Sequence, residues 1–288
     1  MTMMQEEHRL AVLGAGTMGV GIATLAIGYG VPVVLIDIDA DRRAEAPDKV
    51  RQQLRMAQLM GGLRRDAQAG PLTVTDSLDA VAEATVVVES ITERPEWKAK
   101  LVAEVSTVLP AGTPVLTNTS GIPVDELAGA ALRPEDVLGA HFMNPPYLIR
   151  AIEVVRGPRT AQASLDTALD LLTRLEREPV VVGDGPGFVI NRVLQRMINE
   201  ASRIVQDGIA DPAAVDALFT GCLGHRTGPL ATGDLIGLDN VVDSLRVLLD
   251  RTGDEGYRPS ELLIDKVRAG DLGRKTGRGF HDYQGVQR

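Results

Sequence analysis

The sequence predicts an α/β fold in which a doubly wound parallel sheet is followed by an all-α segment. Two observations lead there. Up to about residue 182, short apolar β-branched runs alternate with longer helix-like stretches, the pattern of successive βαβ units. After Gly183-Asp184-Gly185-Pro186-Gly187 the β-type runs stop, and only helical patterns follow. That turn-rich break sets the expected domain boundary, with residues 1–185 before it and 186–288 after it.

The strand candidates are 10–13, 33–36, 86–88, 115–117, 137–140, 152–155 and 180–182, each a short run rich in Val, Ile and Leu. The helical candidates of the second part are 188–207, 211–222, 230–251 and 259–269. Asp211-Pro212 reads as an N-cap with proline at the first helical position, and Arg258-Pro259 as the end of a loop before the last helix.

With 288 residues, 44% hydrophobic and 24% charged, the chain can bury a full core. Its net charge of −9 argues against sequence-independent nucleic-acid binding, which needs a surplus of Lys and Arg to neutralise phosphates. The single cysteine, Cys222, excludes an internal disulfide and a Cys-only metal site; no metal is expected, and a reducing, cytoplasmic compartment fits. The apolar stretch 10–30 follows acidic residues and is broken by glycines, so it reads neither as a signal peptide nor as a membrane span.

Gly14-Ala15-Gly16-Thr17-Met18-Gly19 is a GxGxxG directly after a strand and at the start of a helical run. The first glycine permits the tight turn, the second lets backbone approach a pyrophosphate, and the third lets helix pack on strand. The next strand ends in Asp37, where a carboxylate accepts hydrogen bonds from an adenosine ribose. Together these predict a Rossmann-like dinucleotide site, and Asp37 favours NAD over NADP because it repels a 2′-phosphate. Arg42 and Arg43 follow as a counter-indication or as solvated helix charges.

Four histidines are available as a base for alcohol oxidation, a task suited to a pKa near neutrality. His8 lies in the N-terminal tail and His281 near the C-terminus; His225 sits in an inter-helix loop. His141 ends a strand, where ligands of doubly wound sheets bind. Glu153, an acid flanked by apolar residues, needs a partner if buried, and His141 is a candidate. A structural pair and a catalytic one remain equally open from these residues alone.

These blocks resemble the 3-hydroxyacyl-CoA dehydrogenases, especially the short bacterial 3-hydroxybutyryl-CoA type. Besides the glycine loop the resemblance rests on Asn118-Thr119-Ser120 and on His141-Phe142-Met143-Asn144-Pro145 with Glu153. It continues through Pro186-Gly187-Phe188-Val189-Ile190-Asn191-Arg192, Gly228-Pro229-Leu230, Gly233-Asp234-Leu235-Ile236-Gly237-Leu238-Asp239 and the tail from Leu272 to Phe280. It implies an NAD enzyme of fatty-acid metabolism in which His141 is the base, Glu153 orients it, and Ser120 and Asn191 hydrogen-bond the substrate. It further implies cofactor contacts from Glu93, Lys98 and Lys275, a supporting role for Asn144 in the histidine loop, and a homodimer formed by the helical domain.

Two departures concern the substrate. After Asn144-Pro145 the family continues with a small apolar residue, a second proline and, two residues later, methionine, where this chain has Pro146-Tyr147-Leu148-Ile149-Arg150-Ala151. The helical hairpin with which the family grips CoA is cut short by Gly61, Gly62, Gly70 and Pro71, and its basic residues are Arg51, Arg55, Arg64 and Arg65. An arginine patch suits a phosphate of CoA, and it equally suits an acidic acyl carrier protein, as in relatives that make polyketide extender units. A plain solvated face is the third reading. A non-catalytic, crystallin-like NAD-binding protein is the alternative of another class, and the presence of His141, Glu153, Ser120 and Asn191 together argues against it.

Overall fold

The computed structural model describes residues 8–64, 66 and 68–284. It divides into two compact units, the first ending at Phe188 and the second beginning at Val189.

The first unit is an eight-stranded sheet with the order β3-β2-β1-β4-β5-β6-β7-β8. The strands are β1 (Leu10–Leu13), β2 (Val33–Ile36), β3 (Leu72–Thr75), β4 (Val86–Glu89), β5 (Val115–Thr117), β6 (Val137–His141), β7 (Ala151–Arg156) and β8 (Glu178–Gly183). Strands β3 to β6 run parallel in the doubly wound order, while β7 runs antiparallel to β6 and β8 parallel to β7. The chain reverses its direction of winding between β1 and β4, and ligands of such sheets bind beyond the strand ends at that point. The predicted Rossmann-like α/β class is therefore present. The strand β3 escaped the sequence reading because it is an edge strand with exposed or half-buried residues throughout, Leu72-Thr73-Val74-Thr75, and so lacks a continuous apolar run.

Helices α1 (Thr17–Gly28), α2 (Ala40–Leu59), α3 (Pro95–Val108), α4 (Val124–Ala128) and α5 (Gln162–Arg174) connect the strands. Every residue of α1 from Gly19 to Gly28 is buried. That burial explains the apolar stretch at 10–30, which is the centre of a core. Among the described residues no helix is long and apolar enough to cross a membrane. Two buried clusters line the faces of the sheet, one with Ile22, Leu25 and Leu138, the other with Leu13, Val87 and Val102. Between Met60 and Pro71 the described residues contain no helix, so the second arm of the expected hairpin is absent there.

The second unit comprises α6 (Ile190–Gln206), α7 (Pro212–Leu223), α8 (Pro229–Ile236), α9 (Leu238–Thr252) and α10 (Glu261–Arg268) around a core that includes Ile198, Leu230, Leu238, Val242 and Leu245. Asp211 caps α7 as expected, accepting from the Ala214 amide at 2.7 Å. The single helix expected over 230–251 is two. Gly237 adopts φ +99°, a left-handed conformation that interrupts the helix and that a residue with a Cβ rarely takes.

Candidate active site

At the end of β1 the backbone of Gly14 turns with φ +102°, and a Cβ there would lie 2.7 Å from the Ser90 carbonyl oxygen just past β4. A Cβ on Gly19 would lie 1.8 Å from the Gly14 carbonyl oxygen, so α1 rests directly on the turn. Gly16 is different: among the described residues nothing lies within 4 Å of the place its Cβ would take. It begins α1, whose first turn has no side-chain cap and no acidic residue, leaving the positive end of the helix uncompensated. Free space beside Gly16 and unfilled amide donors are what a pyrophosphate requires, so this cradle fits a dinucleotide.

Asp37 is 7% exposed and accepts from the Ala15 amide at 2.6 Å through one oxygen and from the Asp39 amide at 2.9 Å through the other. It thus braces the glycine loop as well as facing the ribose position that the motif assigns to it. Arg43 is engaged elsewhere, with the Asp37 carbonyl at 2.8 Å and with Asp76 at 3.0 Å, while Arg42 lies 3.9 Å from the Asp37 carboxylate. The counter-indication for NADP is weakened accordingly. Next to Asp37, Ile38 is 92% exposed, an apolar side chain without cover where an adenine ring would need one. Sequence reading passed over it, although an isoleucine directly after the acidic residue was the available signal.

The other pole is at β6 and β7. His141 and Glu153 are cross-strand partners in the antiparallel ladder, so both side chains stand on the same face of the sheet. His141 Nδ1 lies 3.0 Å from Glu153 Oε2, and both residues are buried, at 5% and 6% exposure. A carboxylate at Nδ1 holds the proton on that nitrogen and turns the Nε2 lone pair outward. The Phe188 ring packs edge-on against His141 with centroids 6.2 Å apart, and Asn118 Oδ1 accepts from the Phe142 amide at 2.9 Å. Asn118 thus supplies one bond that steadies the histidine loop; Asn144, given that role by the resemblance, is exposed. The other histidines are engaged differently. His8, read as a tail residue, is buried with Nε2 2.7 Å from Asp170; His281 pairs with Asp216 at 2.7 Å; His225 packs edge-on against Phe219.

Between the poles lies a buried charge network that the sequence did not foretell. Glu89, the last residue of β4, is fully buried and accepts from Lys98 at 2.8 Å, from the Thr117 hydroxyl at 2.7 Å and from the Ile91 amide at 2.8 Å. Lys98 is 1% exposed and also lies 3.3 Å from Glu93. Glu93 in turn accepts from the Thr119 hydroxyl at 2.5 Å and from the Ser120 amide at 2.8 Å. Lys98, expected at the cofactor, is thus enclosed by two carboxylates, and Glu93 is the exposed member that fixes the backbone of Ser120.

Asn191 and Lys275 belong to the second unit. Asn191 is half-buried in the first turn of α6, and Lys275 pairs with Asp239 at 2.5 Å. Of the arginines, Arg51 pairs with Asp48 and Arg64 with Asp66, Arg55 is exposed, and Arg65 lies outside the described residues. Among the described residues no group of His, Cys, Asp and Glu has the makings of a metal site.

Residues 9–185 match the model of the 3-hydroxyacyl-CoA dehydrogenase NAD binding domain, and residues 187–283 match the C-terminal domain of the same family. The chain belongs to the 3-hydroxyacyl-CoA dehydrogenase family. A probable 3-hydroxybutyryl-CoA dehydrogenase of Bacillus subtilis is 37% identical over 97% of this chain and 98% of its own length. A 3-hydroxybutyryl-CoA dehydrogenase of Bradyrhizobium diazoefficiens is 36% identical over 97% of this chain and 96% of its own. Among solved structures, the (S)-3-hydroxybutyryl-CoA dehydrogenase PaaH1 of Ralstonia eutropha aligns with a TM-score of 0.91 at 32% identity, covering 96% of this chain and 99% of that one. As a member of the 3-hydroxyacyl-CoA dehydrogenase family the chain is an NAD-dependent oxidoreductase, consistent with the cradle at Gly16.

Proposed function

We propose that this enzyme interconverts a 3-hydroxyacyl thioester and its 3-oxo form, with His141 as the base. The observation that carries the reading is the buried His141–Glu153 pair at the carboxyl end of β6, with Nδ1 held at 3.0 Å and Nε2 left to receive a proton. When bound, NAD accepts the hydride released from the alcohol carbon. His141 takes the hydroxyl proton, and Glu153 stabilises the imidazolium that results. Ser120, whose amide is fixed by Glu93, donates to the reacting oxygen as negative charge grows there. Asn191 is given a similar substrate contact on its motif alone, as Lys275 is given a cofactor contact and Glu93 and Lys98 their part in shaping the cofactor pole. Gly14, Ala15, Gly16, Thr17, Met18 and Gly19 supply backbone to the pyrophosphate, Asp37 takes the ribose and Ile38 the adenine face.

The test is His141→Gln. Turnover of acetoacetyl-CoA with NADH should fall by about 10²–10⁴-fold, the usual contribution of a general base, while NADH still binds by fluorescence titration. Turnover at the wild-type rate would refute the assignment.

One observation favours a second reading of the substrate's carrier. The described part of the segment 60–71 has no helix with which to form the CoA-gripping hairpin, and Arg51 and Arg64 are occupied by neighbouring acids. Assaying a CoA thioester beside the same acyl group on a carrier protein decides it, strong CoA activity counting against the carrier protein. The reading includes a homodimer through the helical unit, supported by the exposed Ile209, Leu218 and Leu223, and a reducing cytoplasmic setting, supported by the exposed free thiol of Cys222. Light scattering on the purified protein measures the first.

A further inference from the structure

We infer that Arg177 is a positioning residue for the His141–Glu153 pair, acting by clamping the loop that joins their strands; the inference rests on the catalytic reading of that pair. Arg177 lies between α5 and β8 and is 5% exposed, yet among the described residues no carboxylate forms an ion pair with it. Its guanidinium donates instead from Nη1 to the carbonyl oxygens of Pro146 at 3.1 Å and Ile149 at 3.3 Å. Nε donates to the Leu175 carbonyl at 3.0 Å, and Nη2 to the Tyr29 hydroxyl at 3.3 Å. A buried cation is costly unless its donors are satisfied, and four of the five guanidinium N–H groups are satisfied here, two of them by one loop.

That loop is the short connection from His141 to Glu153. Its middle is a tight turn, with the Pro145 carbonyl accepting from the amides of Leu148 at 3.0 Å and Ile149 at 3.2 Å. Two glycines press on it: a Cβ on Gly21 would lie 2.8 Å from Pro146 Cδ, and one on Gly62 would lie 2.5 Å from the Tyr147 carbonyl oxygen. Contact of this kind supports the loop from α1 and from the turn after α2, and Arg177 is the polar tie on the remaining side. The ends are fixed as well, by Asn118 at the Phe142 amide and by the Glu178 amide at the Arg150 carbonyl, 2.8 Å apart. Glu153 is paired to β8 as well as to β6, so freeing the middle of the loop should loosen the His141–Glu153 geometry rather than unpair the strands. A shift of about 1 Å at a catalytic group is enough to cost roughly 10²-fold in rate.

Three substitutions test this. In Arg177→Met the hydrogen-bonded loop amides of Phe142, Leu148 and Ile149 should exchange hydrogen faster while the rest of the first unit and the NADH affinity stay unchanged. Its kcat on acetoacetyl-CoA should fall about 10–100-fold with no change in KM for NADH. Arg177→Lys, which keeps the charge but loses the fork that spans two carbonyls, should recover only part of the rate, and serves in place of the Met variant should that one not fold. Arg177→Ala should regain activity in millimolar guanidinium, whereas His141→Gln should not. The ion has a path, because Arg177 lines a cavity of about 160 Å³ together with Tyr29, Gly62, Tyr147, Arg64, Arg150 and Glu176. Unchanged exchange in the loop would overturn the clamp. Faster exchange with unchanged kcat would overturn the positioning role. Faster exchange in a protein whose wild type does not turn over thioesters would support the clamp and defeat the catalytic reading instead.

Discussion

The ends of β1 and β6 solve different problems with different materials. At β1 the site is made of what is missing: Gly14 and Gly19 are close approaches of backbone to backbone, and Gly16 keeps a space open. At β6 it is made of what is present, a histidine and a glutamate paired across two strands, with Phe188 and Asn118 holding them. A pole built from space should fail when volume is added. One built from charge should fail when a proton-accepting atom is replaced at constant volume.

The largest break is expected from Gly19→Ala. The added carbon would sit 1.8 Å from the Gly14 carbonyl oxygen, a distance no relaxation of a side chain can relieve, since the obstacle is backbone. NADH binding should become undetectable by fluorescence and the Tm should drop by several degrees. Wild-type binding in this variant would show that close packing does not define the β1 pole. Glu153→Gln keeps the volume at the other pole and removes the charge. Loss of a hydrogen bond to a charged group, about 1.5–3 kcal/mol, corresponds to a rate roughly 10–100-fold lower. NADH affinity should not move, and a joint loss of binding and rate would erase the distinction between the poles.

Gly16→Ala sharpens the contrast within one loop. Gly16 has φ −73°, which alanine adopts freely, and no atom of the described residues stands within 4 Å of the new methyl. The Tm should therefore match wild type while NADH affinity falls about tenfold, roughly 1.4 kcal/mol. A matching fall in Tm would mean that Gly16, like Gly19, serves packing.

How much of this could be read from the chain follows from the same difference. Glycine spacing and the Asp37 that follows it are local in sequence, so the β1 pole was legible, and so were the strands with continuous apolar runs. His141 and Glu153 were legible as a pair because only an antiparallel return separates them. The edge strand β3 was hidden because half-exposed strands alternate threonine with apolar residues and carry no run. The Glu89–Lys98–Glu93–Ser120 network was hidden because Lys98 meets Glu89 only where the chain folds back from β4 into α3, Ser120 comes from the loop after β5, and a buried lysine looks like any surface lysine at the start of a helix. Arg177 was hidden because three of its four hydrogen bonds go to carbonyls, which every residue has. The break at Gly237 turns on one backbone angle, which a glycine within an apolar stretch permits but does not announce.

Lys275 offers the smallest effect and asks whether a residue assigned to the cofactor by its motif has a structural task of its own. Its partner Asp239 is only partly shielded. Burial by itself raises that carboxyl, but the hydrogen bonds from Lys275 and from the Asn240 amide, together with the lysine's charge, outweigh it and hold the group below its ordinary value of 3.8. The sign of the consequence follows from linkage: a carboxyl depressed in the folded state stabilises it above the unfolded value, and that stabilisation disappears as pH falls through the folded one. Thermal unfolding of Lys275→Met should thus trail wild type slightly at neutral pH, since exposed pairs contribute about 0–1 kcal/mol, and the two curves should converge as pH falls from the ordinary carboxyl value of 3.8 through the depressed one and Asp239 takes up its proton. A gap that persists into strong acid would show that Lys275 stabilises the turn through its packing on Gly237 rather than through its charge. NADH affinity of the same variant then separates the two tasks, because a structural ion pair leaves it unchanged and a cofactor contact does not.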